Sequence, residues 1–278
     1  MPLRVAVTGI NGQIGRALSN AVPTEWELSG ARSSDVDVRS WGDVRDWIAS
    51  CRPGLVIHAA AMTDVDGCES RVDDAFAINA LGTRHVARAA ERVGATLVYI
   101  STNFVFDGQQ DRPYHEFDQT GPISVYGASK LAGEREALDA SSDCYIVRTA
   151  TVFDETGRNF VNTMRRLMQE RDEVSVVDDQ IGNPTYAPDF ADGLLKLLES
   201  RPPGVYHLTN SGATSWFEWA WEIQLITGYA CHVRPTAGAN YVRAATPPRN
   251  GSMASLAWPD VTSVMPDWRD ALRRCLTD

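Results

Sequence analysis

The chain has 278 residues, a formal net charge of −10 at pH 7 and five cysteines. This length is sufficient for one large α/β domain, or for a nucleotide-binding domain with a smaller partner. The negative charge argues against nucleic acid and anionic membrane surfaces as partners. Because the sequence has neither a signal peptide nor an apolar run long enough to span a membrane, we expect a soluble, cytoplasmic protein.

The cysteines lack the spacing of a metal site or a disulfide framework. They are Cys51, Cys68, Cys144, Cys231 and Cys275. Their number is odd and no C-x-x-C pair occurs, and the five histidines have no ligand spacing either. We therefore predict no metal and interpret the cysteines as small buried residues.

In the first 150 residues, short β-rich runs alternate with helical patterns. The predicted strands are Leu3–Thr8, Glu25–Gly30, Leu55–His58, Thr96–Ser101 and Cys144–Arg148. The predicted helices are Gln13–Ala21, Val44–Cys51, Asp73–Val93 and Val125–Leu138. This alternation indicates repeated βαβ units and a parallel sheet, whose carboxyl-terminal edge would form a ligand crevice.

After residue 150 the alternation is less regular. Helices are predicted at Asn159–Arg171, Asp189–Ser200, Ser215–Thr227 and Trp268–Leu276, and strands at Val174–Val177 and Val205–Leu208. We therefore divide the chain into units at 1–150 and 151–278, and expect some segments of the second unit to return to the sheet of the first. The stripe formed by Trp216, Trp219 and Ile223 is interpreted as packing.

A glycine-rich turn follows the first predicted strand. Gly9, Gly12 and Gly15 lie at three-residue intervals before a predicted helix. Glycines allow tight turns, and the first amides of a helix attract phosphate, so the turn predicts a dinucleotide site. The spacing departs from G-x-G-x-x-G, and a simple strand-to-helix turn is the alternative.

A second pattern joins a strand end to a helix start. Ser101 and Thr102 close the fourth predicted strand, and Tyr126 and Lys130 lie one turn apart near the start of a helix. An ammonium beside a phenol is expected to lower the phenol's pKa and make it a usable general acid. Coincidence is the alternative, but the chain has only two lysines.

Motifs along the whole chain point to one family. They are Gly9-x-x-Gly12-Gln13-x-Gly15, His58-Ala59-Ala60-Ala61-x-Thr63-x-Val65-Asp66-x-Cys68-Glu69, Asn79, Ser101-Thr102-x-x-Val105-Phe106-Asp107-Gly108, Tyr126-x-x-x-Lys130, Val177-Asp178-Asp179-Gln180-x-Gly182-x-Pro184-Thr185-Tyr186-Ala187 and Pro266-Asp267-Trp268-Arg269. Together they resemble the dTDP-4-dehydrorhamnose reductase family of the extended short-chain dehydrogenase/reductase superfamily. The resemblance implies a Rossmann-type doubly wound parallel sheet with a smaller, C-terminal substrate-binding domain.

The resemblance also implies an activity: reduction of the C4 ketone of a nucleotide-linked 6-deoxysugar by a reduced nicotinamide. Tyr126 would protonate the carbonyl oxygen, Thr102 would hydrogen-bond it, and Lys130 would bind the nicotinamide ribose. The cofactor contacts implied by position are Gly9, Asn11, Gly12, Gln13, Ile14, Gly15, Arg32, Ser33, Asp37, Val38, Ala59, Ala60, Ala61, Asn79, Ser101, Tyr126 and Lys130. Because Arg32 is a cation where an acid would select NAD(H), we expect NADP(H), with NAD(H) as the alternative.

The expected substrate is a nucleotide sugar, most simply a dTDP-sugar. The substrate contacts implied by the resemblance are Thr63, Val65, Thr102, Asn103, Phe104, Thr151, Asn159, Gln180, Asn183, Thr185 and Arg249. The family usually has Asp-Tyr where this chain has Asn103-Phe104, and a tryptophan where it has Thr151. Both changes fall in the sugar pocket, so we hypothesise a relative that acts on another keto-deoxysugar.

Two alternatives remain open. An epimerase of the same superfamily would recycle its cofactor, and a non-catalytic NADP-binding subunit resembling the methionine adenosyltransferase regulatory subunit would bind cofactor without turnover. A dehydratase is excluded because Asn103 and Phe104 cannot supply its acid pair. The sequence leaves the oligomeric state open between monomer and homodimer.

Overall fold

The computed structural model describes residues 2–263 and 265–277. Its helices are α1 (Gln13–Ala21), α2 (Trp41–Cys51), α3 (Val65–Ser70), α4 (Val72–Phe76), α5 (Gly82–Val93), α6 (Val125–Ala140), α7 (Phe160–Glu170), α8 (Ala187–Ser200), α9 (Trp216–Thr227) and α10 (Trp268–Thr277). Its strands are β1 (Arg4–Thr8), β2 (Glu27–Ala31), β3 (Leu55–His58), β4 (Thr96–Thr102), β5 (Cys144–Thr149), β6 (Val152–Phe153), β7 (Glu173–Val177), β8 (Ile181–Gly182), β9 (Thr185–Tyr186), β10 (Gly204–His207), β11 (Thr214–Ser215) and β12 (His232–Thr236).

The central sheet has six parallel strands in the order β10-β5-β4-β3-β1-β2. β1 pairs with both β2 and β3, so the chain winds outward in opposite directions from this point. A crevice at the carboxyl ends of the strands forms where the winding direction reverses. The predicted Rossmann-type, doubly wound parallel sheet is confirmed.

Helices cover both faces of this sheet. α1 and α8 pack on one face, where Val5, Val7 and Leu194 are buried, and α2, α5 and α6 pack on the other. Burial on both faces explains why β1, β3 and β5 are continuous apolar runs without alternation.

The predicted helix Asp73–Val93 is interrupted. Residues 77–81 form a π-helical turn between α4 and α5. The turn carries Asn79, whose side-chain amide exchanges two hydrogen bonds with the backbone of Met62, at 2.8 and 3.1 Å. The short helix α3 was not predicted, although Asp64 caps it through the amide of Gly67 at 3.1 Å.

The C-terminal segments form a second layer with their own core, in which α7, α9 and α10 pack around β7 and β12. Trp219 and Trp268 are fully buried there. β12 and the two-residue strands β6, β8, β9 and β11 were not predicted, because such short or polar strands lack a periodic pattern. β10 leaves this part of the chain and pairs with β5. The division at residue 150 stays a prediction.

Four of the five cysteines are buried. The expectation of burial is wrong for Cys51, which is half-buried because it lies at the carboxyl end of α2, beside the exposed edge of that helix. Across the described residues, no helix is both long and apolar enough to span a membrane.

Candidate active site

A cavity of about 980 Å³ opens at the carboxyl ends of β1 to β5. Its wall is formed by the turns after β1, β2, β3 and β4, by the start of α6 and by residues after β5. It therefore lies at the position that the strand order predicts for a ligand crevice.

The glycine-rich turn after β1 forms one end of this cavity. Gly9 has a left-handed φ of 72°, and a Cβ there would lie 2.7 Å from the backbone nitrogen of Ala60. A Cβ on Gly15 would lie 2.4 Å from the carbonyl oxygen of Gly9. Gly12 begins α1 without a side-chain cap, so the first amides of the helix are available to an anion. The turn fits the pyrophosphate of a dinucleotide.

The turn after β2 forms the adjoining wall. Arg32, Ser33, Asp37 and Val38 line the cavity, together with Arg39, which the sequence analysis did not single out. The guanidinium of Arg39 donates to both carboxylate oxygens of Asp37, at 2.8 to 3.1 Å. Hydrogen bonds from Arg39 lower the pKa of Asp37, so this carboxylate is charged and paired.

The three predicted catalytic residues line the same cavity. Thr102 ends β4, and Tyr126 and Lys130 lie on the first turns of α6. Ser124 caps this helix by accepting a hydrogen bond from the amide of Gly127 at 3.2 Å. The cap fixes where α6 begins, and with it the height of Tyr126 above the end of β4.

The pKa of Tyr126 differs from the value that the sequence led us to expect, and the pKa of Lys130 is also shifted. Burial raises the pKa of Tyr126 to about 12, against a lowering effect of the Thr102 side chain. The ammonium of Lys130 donates to the carbonyl of Ile100 at 2.7 Å and lies 4.1 Å from the centre of the Tyr99 ring. The sequence expectation that Lys130 lowers the phenol's pKa is therefore wrong, because desolvation by burial has the largest effect on that pKa. Burial also lowers the pKa of Lys130 to about 7.

The remaining predicted cofactor residues line the cavity or lie directly behind its wall. Asn11, Gln13, Ile14, Ala59, Ala60, Ala61 and Ser101 line the cavity. Asn79 lies behind the wall, where it also donates to Ser129 at 3.0 Å and holds Met62 in place. The hydroxyl of Ser101 donates to Glu134 at 2.5 Å, so it points away from the cavity.

The structure places most of the predicted substrate residues at the opposite end. Thr63, Val65, Thr102, Asn103, Phe104 and Thr151 line the cavity. Gln180 lines an adjoining cavity of about 50 Å³, whose wall includes Phe104 and Thr151. Thr151 has a left-handed φ of 41°, which is rare and costly for a β-branched residue, and such strain concentrates at functional sites.

Four predicted substrate residues line neither cavity. Asn159 caps α7 and donates to Asp154, and Asn183 bridges the backbone of Gly212 and Met253 at 2.8 and 2.7 Å. Thr185 is fully buried in β9. Arg249 is exposed outside both walls. The side-chain amides of Asn159 and Asn183 are therefore engaged in hydrogen bonds within the protein.

Two further residues line both cavities, and the sequence analysis missed their position. Trp216 belongs to the stripe interpreted as packing. Arg243 lies in a long loop, where its guanidinium contacts Asp66 of α3 at 3.0 Å. No spacing in the sequence connects residues so far apart, so only the fold reveals this contact. In the described parts of the chain, no group of three potential metal-ligating side chains comes together.

Comparison with known proteins agrees with this geometry. The RmlD substrate binding domain family matches residues 3–278. The dTDP-4-dehydrorhamnose reductase of Streptomyces griseus is 39% identical, covering 97% of this chain and 91% of its own. That of Mycobacterium tuberculosis is 40% identical, covering 98% and 92%.

A solved structure supports the same relationship. The Bacillus anthracis dTDP-4-dehydrorhamnose reductase in complex with NADP is 38% identical and superposes with a TM-score of 0.96, covering 100% of this chain and 99% of its own. The agreement extends over both the sheet and the C-terminal layer. The chain therefore belongs to the dTDP-4-dehydrorhamnose reductase family and is an oxidoreductase of the extended short-chain dehydrogenase/reductase type.

Proposed function

We propose that the protein reduces the C4 ketone of a dTDP-linked keto-6-deoxysugar with NADPH. The observation that carries the proposal is that Thr102, Tyr126 and Lys130 line one cavity with the glycine-rich turn. Carbonyl reduction beside a nicotinamide requires a phosphate-binding turn and a proton donor in one cavity. Both features lie on opposite parts of this wall. Relatives named as reductases of this kind match along nearly the whole chain.

The chain's own residues would divide the chemistry as follows. NADPH, when bound, supplies the hydride. Tyr126 is protonated at neutral pH, since its pKa lies well above 7, and it would donate that proton to the sugar oxygen. Thr102 would donate a hydrogen bond to the same oxygen, and Lys130 would bind the nicotinamide ribose. The nearly complete burial of all three side chains excludes bulk water from the reacting atoms.

The adenosine end of the cavity supports NADP(H) over NAD(H). Arg32 and Arg39 both line this end, and the nearby Asp37 is already paired with Arg39. A 2′-phosphate gains from the Arg32 guanidinium, whereas a bare 2′-hydroxyl would need an unpaired acid. NADH therefore remains a weaker alternative donor.

The sugar end supports an altered specificity within the same reaction. Asn103 donates its side-chain amide to the carbonyl of Gly251 at 3.0 Å, and a carboxamide has no ionisable proton with which to act as an acid. Phe104 offers a ring without a hydroxyl, and it packs edge-on against Tyr126 with ring centres 5.4 Å apart. We infer that Phe104, Thr151 and Gln180 contact the sugar, while Asn159, Asn183 and Thr185 hold the surrounding backbone in place.

The test is a panel of dTDP-linked keto-deoxysugars incubated with NADPH or NADH. We expect NADPH absorbance to fall in proportion to the alcohol formed, with a sugar other than dTDP-4-dehydrorhamnose preferred. A clear preference for dTDP-4-dehydrorhamnose would refute the altered specificity alone. Sugar interconversion without net NADPH loss would identify an epimerase, and tight NADPH binding without turnover of any sugar would identify a regulatory subunit.

A further inference from the structure

The two cavities of the candidate active site meet at a shared wall. The residues that line both cavities, which we call the cavity junction, are Asn103, Phe104, Thr151, Trp216 and Arg243. None of the three proposed catalytic residues lines the second cavity, and neither does the glycine-rich turn. The second cavity therefore extends the sugar end away from the reacting atoms and from the cofactor.

The chemistry of the proposed substrate directs an anion toward this junction. A 4-keto-pyranose carries its ketone at C4 and its nucleoside diphosphate at C1, and these two carbons lie on opposite sides of the ring. With C4 beside Tyr126 and Thr102, C1 would face away from both residues. The cofactor would fill the space between the glycine-rich turn and Lys130, so the cavity junction is the direction left for the diphosphate.

Arg243 is the cation at the cavity junction. Among the described residues, it is the only charged one that lines the second cavity. The preceding residues Tyr241 and Val242 are exposed, whereas only 27% of the Arg243 side chain is accessible to water. Arg249, which the resemblance assigned to the substrate, lines neither cavity. Arg243 is therefore the arginine of this loop that can reach a ligand in either cavity.

Asp66 of α3 holds the Arg243 guanidinium by one edge. One carboxylate oxygen accepts hydrogen bonds from Nε of Arg243 at 3.0 Å and from the amide of Ala245 at 2.9 Å. Neither terminal nitrogen of Arg243 makes a hydrogen bond with any residue that the structure describes. This arrangement differs from Arg39, whose Nε and Nη2 both donate to Asp37. Because the Asp66 side chain is 45% exposed, water screens its charge, and the terminal nitrogens stay available to an anion.

We propose that the terminal nitrogens of Arg243 bind the diphosphate of the nucleotide sugar, while Asp66 orients the guanidinium through Nε. A guanidinium presents paired N–H donors that match two phosphate oxygens, and such charge-assisted hydrogen bonds are among the strongest in proteins. The inference deepens the proposed function, since it rests on a nucleotide-sugar substrate and names the residue that recognises its diphosphate.

The probes are dTDP and thymidine, which share a base and a deoxyribose and differ in the diphosphate. Binding is measured on protein saturated with NADP⁺, so that dTDP cannot occupy the glycine-rich turn. Calorimetric titration gives the affinity for dTDP, and NMR line broadening gives the affinity for the weaker thymidine. In Arg243→Gln we expect dTDP to bind about 10- to 100-fold more weakly and thymidine to bind as in the wild type. Arg243→Lys, which keeps the charge without the paired donors, should show a smaller loss for dTDP.

Arg234→Gln is the matched control. Arg234 of β12 also contacts a carboxylate through Nε, that of Glu173 at 2.5 Å, and it lines neither cavity. Its loss should leave the affinities for dTDP and thymidine at their wild-type values.

Unchanged dTDP affinity in folded Arg243→Gln overturns the proposal, as does failure of the wild type to bind dTDP. An equal loss of thymidine affinity also overturns it, because the variant would then only loosen the loop. Arg158 lines the main cavity just before α7, and a loss of dTDP binding confined to Arg158→Gln would place the diphosphate there instead. If dTDP binding depends on Arg243 but no keto-sugar is reduced, the diphosphate site stands and the proposed function fails.

Discussion

At the scale of single residues, the proposed chemistry depends most directly on the phenol of Tyr126. Tyr126→Phe removes the proton donor but keeps the ring that packs against Phe104. We expect kcat to fall about 10²- to 10⁴-fold, because general acid catalysis contributes on that order, while the affinity for NADPH changes little. Stopped assays of NADPH oxidation and fluorescence titration of NADPH give the two values.

Tyr206→Phe is the matched control for this variant. Tyr206 is also buried, and its hydroxyl donates to the carbonyl of Pro202 at 2.7 Å, at the β10 edge of the sheet. Its loss should leave kcat at the wild-type value. Full turnover by Tyr126→Phe would mean that another group protonates the sugar oxygen.

The sequence predicted the positions of Tyr126 and Lys130 better than their contacts. Spacing alone placed Tyr126 and Lys130 on one helix face, because the helical repeat is fixed. It did not predict that the ammonium of Lys130 would donate to the carbonyl of Ile100, or that the hydroxyl of Ser101 would donate to Glu134. Rotamers and burial decide these contacts, and both depend on neighbours from distant segments.

At the scale of secondary-structure elements, the start of α1 is the least tolerant part of the cofactor wall. Gly15→Ala would place a Cβ 2.4 Å from one backbone atom and 2.6 Å from two others in the glycine-rich turn. We expect a loss of about 1–3 kcal/mol in the free energy of unfolding and at least tenfold weaker NADPH binding, since the turn must move. Urea denaturation and NADPH titration measure these effects.

Gly42→Ala provides the comparison within another helix. A Cβ on Gly42 meets nothing nearer than the Ser40 hydroxyl at 3.9 Å. The change should leave stability within about 0.5 kcal/mol of wild type and NADPH affinity unaltered. If Gly15→Ala behaved like Gly42→Ala, the turn would not be the close-packed phosphate cradle described above.

Most of the longer elements were predictable from the sequence, whereas the two-residue strands were not. α1 and β3 have the bounds predicted from the sequence, because Gly12 and Pro23 bracket α1 and Gly54 precedes the apolar run of β3. The π-helical turn at 77–81 was not predictable, because it accompanies a contact between Asn79 and the backbone of Met62. That contact joins two segments that no local pattern relates.

At the scale of the whole molecule, the sheet and the C-terminal segments are interleaved. α8 covers one face of the sheet with Phe190 and Leu194, and β10 pairs with β5 at its edge. The fragment 1–150 would lose both, leaving apolar surface and an unpaired strand exposed. We therefore expect this fragment to lack a cooperative thermal transition, as measured by circular dichroism, while the full chain has one.

Mixing the fragment with residues 151–278 is the complementary experiment. Because the missing helix and strand would be restored, we expect NADPH binding to reappear in the mixture. A fragment 1–150 that unfolded cooperatively and bound NADPH alone would mean that the division at residue 150 separates independent domains.

Buried histidines should make the whole molecule sensitive to acid. Burial, with Lys130 nearby, lowers the pKa of His58 from 6.5 to about 3, and burial lowers that of His207 as well. Between pH 6.5 and 3, the unfolded chain therefore binds protons that the native state does not bind. Each pH unit of acidification in this window should remove about 1.4 kcal/mol of stability for His58 alone, and the loss is absent above pH 6.5.

Urea denaturation at pH 7, 6 and 5 measures this slope. His58→Gln removes one titrating group, so its stability should fall less steeply with acid than that of wild type, although it starts lower because the hydrogen bonds to Thr8 and Thr83 change. His232→Gln, at an exposed position, should keep the wild-type slope. Parallel curves for His58→Gln and wild type would show that His58 takes up its proton without unfolding the protein, and the acid sensitivity would then have to arise from the carboxylates.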